Sequence, residues 1–112
     1  MPKGKTIEKG KAIGLDTLVG YQDGAVVSRT VIDKPVGTVT MFSFDEGEGL
    51  SEHTAPYDAM VLVVDGEAEI TVAGKDSTVR AGEMMILPAG KPHALRAASR
   101  FKMLLIMIRA TG

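Results

Sequence analysis

Short apolar runs alternate with turn residues along this chain, and no stretch sustains a helical spacing of apolar positions between capping residues. Residues 1–12 are charged and glycine-containing, which predicts a mobile arm or an edge strand. Residues 13–19 are weakly apolar and leave helix and strand undecided, and 20–24 read as a turn. Residues 25–32 are rich in β-branched side chains and predict a strand, broken by Asp33-Lys34-Pro35. Over 37–44 the pattern alternates: Val39, Met41 and Ser43 point one way, and Thr38, Thr40, Phe42 and Phe44 the other. Both faces carry apolar groups, as expected between two sheets or at a subunit interface. Residues 45–49 form an acidic loop. Further strands are predicted at 59–64, 67–72, 77–80, 84–87, 93–97 and 101–109. Glu67 and Glu69 face outward there, and Ala68, Ile70 and Val72 inward. Asp65-Gly66 carries the dipeptide signal of a tight hairpin, and residues 73–76 form the next turn. Closely spaced short strands with turns between them predict an all-β sandwich or barrel.

Composition narrows this without changing it. The 112 residues suit one domain, 1–112, and 45% hydrophobic content supports a folded core. A net charge of −1 and the lack of a basic cluster give no electrostatic case for nucleic acid or an anionic membrane. The chain has no cysteine, which removes disulfides, thiolate metal ligands and thiol nucleophiles. The first residues lack the apolar core of a signal peptide, and the apolar run at 103–108 is too short to span a bilayer. A soluble cytoplasmic protein is expected. There is no Gly-rich phosphate loop, nucleophile-elbow serine or His-Glu-x-x-His helix.

The candidate chemistry lies between residues 47 and 97. Both histidines of the protein, His53 and His93, fall there, each in a turn-rich segment beside an apolar run. Around them stand two half-patterns. The first is Gly49, His53, the strand Met60-Val61-Leu62-Val63-Val64 and Asp65-Gly66; the second is Gly82, five residues, Pro88, Gly90, two residues, His93. Both resemble the paired motifs of the cupin superfamily, which implies a single jelly-roll β-barrel. The second motif matches through its histidine. The first departs where metal-binding cupins carry a second histidine and a glutamate, positions held here by Ala55 and Ala59, and Ala97 replaces a frequent asparagine.

Carried one strand from 53 to 63, alternation sets His53, Ala55, Tyr57, Ala59, Val61 and Val63 on one parity, which the resemblance turns toward the barrel interior. Two converging imidazoles are the first half of a metal site. With alanine at two ligand positions, the resemblance implies a divalent ion (Zn, Mn, Fe or Ni) held weakly or not at all. Asp58 has the wrong parity, but a bulge at Pro56-Tyr57 would aim it at the histidines as a ligand or an orienting carboxylate. Tyr57 would offer a phenol to a ligand. Arg96 is expected to point outward, and Arg29 either to lie on the surface or to cross the barrel. The strand methionines are expected to fill the core.

Three functions remain open at this stage. One is an enzyme acting on a small polar molecule through an ion held by His53 and His93. Another is a metal-free isomerase or epimerase with one histidine as general base oriented by Asp58. The last is a non-catalytic small-molecule binding module or sensor. A homodimer is expected through the strands at 25–32 and 38–44.

Overall fold

The computed structural model of the protein describes residues 7–109. Among them lie a single 3-10 turn, Leu15–Thr17, and nine strands: β1 Val26–Lys34, β2 Gly37–Phe44, β3 Gly49–His53, β4 Ala59–Asp65, β5 Glu67–Val72, β6 Lys75–Arg80, β7 Met84–Leu87, β8 His93–Arg96 and β9 Phe101–Ile108. The strands form two antiparallel sheets, one of five in the order β1-β2-β9-β4-β7 and one of four in the order β3-β8-β5-β6. Facing one another, they make the all-β barrel that the sequence pattern predicts, of the jelly-roll type that the resemblance implies. No helix among the described residues is long and apolar enough to cross a membrane.

Alternation decides what fills the barrel. On β4 the buried positions are Ala59, Val61 and Val63, and on β5 Ala68 and Ile70. With Phe44, Val79, Leu87, Leu95, Ala97, Phe101 and Met103 they make one core cluster. Phe44 stacks on Phe101 with centroids 4.4 Å apart, and Phe42 on Phe44 at 5.9 Å. Burying an aromatic side chain removes a large apolar area from water, so this stack closes one end of the barrel strongly. In the register Phe101 pairs with Phe44 and Met107 with Ala59, so β9 runs from the aromatic end toward the other mouth.

The alternation of β2 also holds, and part of its outer face is covered by the segment ahead of β1. Buried Met41 packs there against Leu18 and Val19, with Ile7, Val27, Val31, Val64 and Leu104 around them. The segment ahead of β1 thus covers part of the larger sheet. Ser43 Oγ donates to Gly20 O at 2.8 Å, Arg29 to Leu18 O at 3.2 Å and Lys102 Nζ to Asp16 O at 2.6 Å. Tyr21 lies under the cations of Arg100 and Lys102 at 5.3 and 4.9 Å and donates its hydroxyl to Asp65, and burial with that contact pushes the phenol well above its ordinary range. Asp45 accepts from Arg100 Nε at 2.7 Å and from the Gly24 N–H at 2.6 Å, and the guanidinium holds its carboxyl down at about 2. Of the expected arm, residues 1–6 lie outside the described residues, while residues 7–12 form no strand and Ile7 packs on this outer-face cluster.

Two local readings are corrected. Residues 49–53, expected as loop and turn, form β3; their one half-buried side chain, Leu50, gives too little apolar alternation to show a strand. Asp65-Gly66 is not a hairpin, because β4 and β5 belong to different sheets. It is a corner carrying the chain from one sheet to the other. The tight hairpin with two left-handed residues is Ala73-Gly74, φ 50° and 81°, between β5 and β6. At the Gly66 corner φ is +73°, and an added Cβ would lie 2.2 Å from Arg100 O. Gly74 has φ +81° and open space around it. Gly66→Ala is therefore expected to cost more than ~2 kcal/mol, conformational strain plus displaced backbone, and Gly74→Ala only ~1 kcal/mol. Urea unfolding of the two variants measures the difference; equal losses would mean that the corner relaxes freely.

Candidate functional site

The pairing of β3 with β8 builds the site. Gly49 lies opposite Arg96, Leu50 opposite Leu95 and His53 opposite His93, with a bulge between Leu50 and His53. A Cβ on Gly49 would sit 2.2 Å from Leu95 O, so only glycine lets the strands approach this closely. On its other side β8 pairs with β5, which sets His93 beside Val72. The result brings the two imidazoles edge to face, with centroids 4.4 Å apart and planes at 69°. Their Nε2 atoms are 3.2 Å apart.

Each ring is oriented in the same local way. His53 Nδ1 lies 2.8 Å from Ser51 O, and His93 Nδ1 3.3 Å from Lys91 O, the carbonyl two residues earlier in both cases. A carbonyl only accepts, so these contacts place the proton on Nδ1 and free Nε2. Ser51 and Lys91 are thus site residues that sequence reading missed. Their contribution is a main-chain oxygen, which no side-chain pattern encodes. No carboxylate bonds to either imidazole among the described residues, nor do three potential metal-ligating side chains cluster there. His93 is buried and His53 exposed, so the pair forms a mouth with one wall in the core. Burial, and secondarily the neighbouring His53, pushes the His93 imidazole below its ordinary value, while the Lys91 carbonyl works against that.

Behind the histidines is a cavity of about 40 Å³ lined by Leu50, Ala55, Ala59, Leu87, Leu95, Met103, Leu105 and Met107. Ala55 and Ala59 therefore line the same cavity as the two imidazoles. The cavity is apolar and small. Drug-sized ligands occupy sites of roughly 300–1,000 Å³, whereas four leucines and two methionines fill most of this space. It has room for a few waters.

Tyr57 and Asp58, read from sequence as candidate site residues, lie elsewhere. The chain between β3 and β4 is irregular, so strand parity does not carry from 53 to 59. Both side chains border an outer depression with Pro56, Ala89 and Ile108. Asp58 Oδ1 accepts the Ala89 N–H at 2.8 Å, and Ala55 O accepts the Gly90 N–H at 2.8 Å. These two bonds latch the loop at 54–58 onto the turn at 88–90, and neither aims a carboxylate or phenol at the histidines. Arg96 faces an outer groove as expected. Arg29 stays outside the barrel on Leu18 O.

This fold and site correspond to known proteins. The family profile of the cupin domain matches residues 40–109. A crystal structure of a conserved Streptococcus pyogenes protein of unknown function superposes with a TM-score of 0.90 at 35% identity, covering 100% of this chain and 98% of that one. A cupin superfamily protein of Desulfitobacterium hafniense superposes at 0.88 and 28% identity, over 95% of this chain and 97% of its own. A cupin 2 conserved barrel domain protein of Leptotrichia buccalis is 45% identical with a TM-score of 0.79, over 82% of this chain but 45% of its own length. No curated protein matches. The chain belongs to the cupin family, and its barrel is a small-molecule-binding type of domain.

The lowered His93 value has a stability consequence whose sign is fixed. Above an ordinary imidazole value of about 6.5 the group is neutral folded and unfolded. As pH falls below that, the unfolded chain takes up the proton first, so stability drops through the window down to the folded value and then levels. Urea unfolding at pH 7.5 and 5.5 should show this loss in the wild type and less of it in His93→Gln. Parallel losses would mean that burial of neutral His93 contributes nothing.

Proposed function

We propose that this cupin binds one divalent ion weakly between His53 Nε2 and His93 Nε2, and through it a small oxygen-bearing molecule. The supporting observation is the Nε2–Nε2 separation of 3.2 Å with each Nδ1 directed to a backbone carbonyl. Two imidazole nitrogens on one tetrahedral ion stand about 3.3–3.4 Å apart. Metal-binding histidines commonly fix their second nitrogen in this way. Without an ion, two lone pairs face each other unless one Nε2 carries a proton. Imidazole donors suit zinc, iron and nickel, with manganese weaker. Such an ion would supply Lewis acidity toward a bound oxygen.

The chain's own residues set the limits of that activity. Two protein ligands rather than three or four make the site weak. Ala55 and Ala59 leave space beside the imidazoles, so positions around an ion remain open. The leucine and methionine wall leaves room for only a small group beyond the mouth. The depressed His93 keeps that imidazole neutral, hence able to ligate, to lower pH than an exposed histidine. The metal-free isomerase reading requires a carboxylate orienting a histidine, and the orienting groups are carbonyls instead.

Calorimetric titration of tag-free protein with zinc, nickel and manganese is the test. The expected result is one ion per chain, with affinity lost at least tenfold in His53→Gln and in His93→Gln. Ala55→His with Ala59→Glu would complete a four-ligand set. It should tighten zinc by several kcal/mol and raise the zinc-induced gain in thermal stability above that of the wild type. Equal zinc affinity in wild type and both glutamine variants would refute the proposal.

A further inference from the structure

We infer that the sulfur of Met107 is a third donor at the histidine mouth and makes the site selective for copper(I) over divalent ions. The inference rests on the two-histidine reading above and adds to it a ligand and a preferred metal. A thioether is a soft donor, imidazole suits copper as well as zinc, and thioethers favour copper(I).

The register places the sulfur-bearing side chain. Met107 stands on the inward face of β9 with Phe101, Met103 and Leu105, and it lines the same cavity as both histidines. It lies directly opposite Ala59. Opposed residues of an antiparallel pair have Cβ atoms about 4.5–5.5 Å apart and project to the same face. Ala59 occupies the position at which metal-binding cupins carry glutamate, and its side chain ends at Cβ. The methionine facing it is long and flexible enough to use the space that a glutamate would fill. Met103 also lines the cavity, but it stands four residues earlier, about 13 Å along the strand at about 3.3 Å per residue. It pairs with Val63, is fully buried and belongs to the core near Phe101. Met107 is only partly buried, at the mouth end of the strand.

The chemistry of the wall selects the ion. Among the described residues no group of three His, Cys, Asp or Glu side chains forms, and the chain has no cysteine. Apart from the two imidazoles and the two thioethers, the cavity wall is leucine and alanine. Every side-chain donor there is therefore neutral. The cost of desolvating an ion rises with the square of its charge, so a wall without anions favours a monovalent ion. Ions that prefer oxygen find no side-chain oxygen in it. The spacing of the nitrogens calls for a third ligand. With metal–nitrogen bonds of about 2.0 Å, nitrogens 3.2 Å apart subtend an angle of about 106° at the ion. A linear ion on two imidazoles would hold them about 4 Å apart. The bent pair leaves a coordination position open, and the Met107 thioether is the donor that the wall supplies for it.

Anaerobic titration of the tag-free full chain with copper(I), in competition with the chelator bicinchoninate, tests this beside the zinc titration. The wild type should bind one copper(I) per chain at least ~100-fold more tightly than zinc. Met107→Leu, an exchange of similar volume that a core tolerates, should lose copper(I) affinity at least ~10-fold and keep its zinc affinity within about twofold. Met103→Leu should leave both affinities unchanged. In protein carrying ¹³C-methyl methionine, the resonance missing from Met107→Leu should be the one that shifts when copper(I) is added. Copper(I) held no more tightly than zinc, or equally by wild type and Met107→Leu, would overturn the inference and leave the two-histidine reading standing. Loss of copper(I) in Met103→Leu instead of Met107→Leu would overturn it by moving the donor. Failure of both ions to bind, or equal binding of both ions by wild type, His53→Gln and His93→Gln, would remove the two-histidine reading and the inference with it.

Discussion

Everything chemical in this molecule depends on the register of β3 against β8. One residue of slip would turn His53 from the mouth to solvent, because side chains alternate along a strand. That register is held by the close approach at Gly49, where any Cβ would meet Leu95 O. It is held also by Leu50 opposite Leu95 and by the bulge before His53. The bulge lets His53 lie opposite His93 although Leu50 is an odd number of residues earlier. Two carbonyls, those of Ser51 and Lys91, then set both rings so that the remaining nitrogens converge. The aromatic stack at the far end and the N-terminal segment on the outer face give this arrangement a rigid base.

The small cavity changes what the barrel can do. Loss of two ligand side chains at Ala55 and Ala59 would be expected to leave a void. Leu87, Leu105 and Met107 occupy that end of the barrel instead, so little empty space remains. Methionine side chains repack at small cost, which gives a ligand some way to enlarge the site. On the proposed function, two nitrogen donors and a nearly filled interior suit a small ligand at the mouth better than a large one engulfed by the barrel.

Much of this was legible in the sequence. The β-branched run that became β1, the alternation of β2 and the apolar run of β4 marked strands because the side-chain period is two wherever one face is buried. His53 and His93, the protein's two histidines, stood in motif positions and do meet in the structure. Illegible were features set by the backbone or by long-range pairing. Asp65-Gly66 has hairpin composition, yet sheet assignment made it a corner. Tyr57 and Asp58 lost their expected orientation because alternation holds only within a strand, and the chain leaves β3 after His53. The strand β3 itself gave no signal, since it buries little more than Leu50.

The central proposal is that the two Nε2 atoms, 3.2 Å apart, bind one ion together. With two histidines in the protein, long-range proton–nitrogen NMR on uniformly ¹⁵N-labelled protein reads each ring separately. At pH 7.5 one equivalent of zinc should move both Nε2 resonances together while both Nδ1 atoms remain protonated. If either Nε2 is unchanged at saturating zinc, or if zinc takes an Nδ1 position, the two-histidine site as built by β3 and β8 is contradicted.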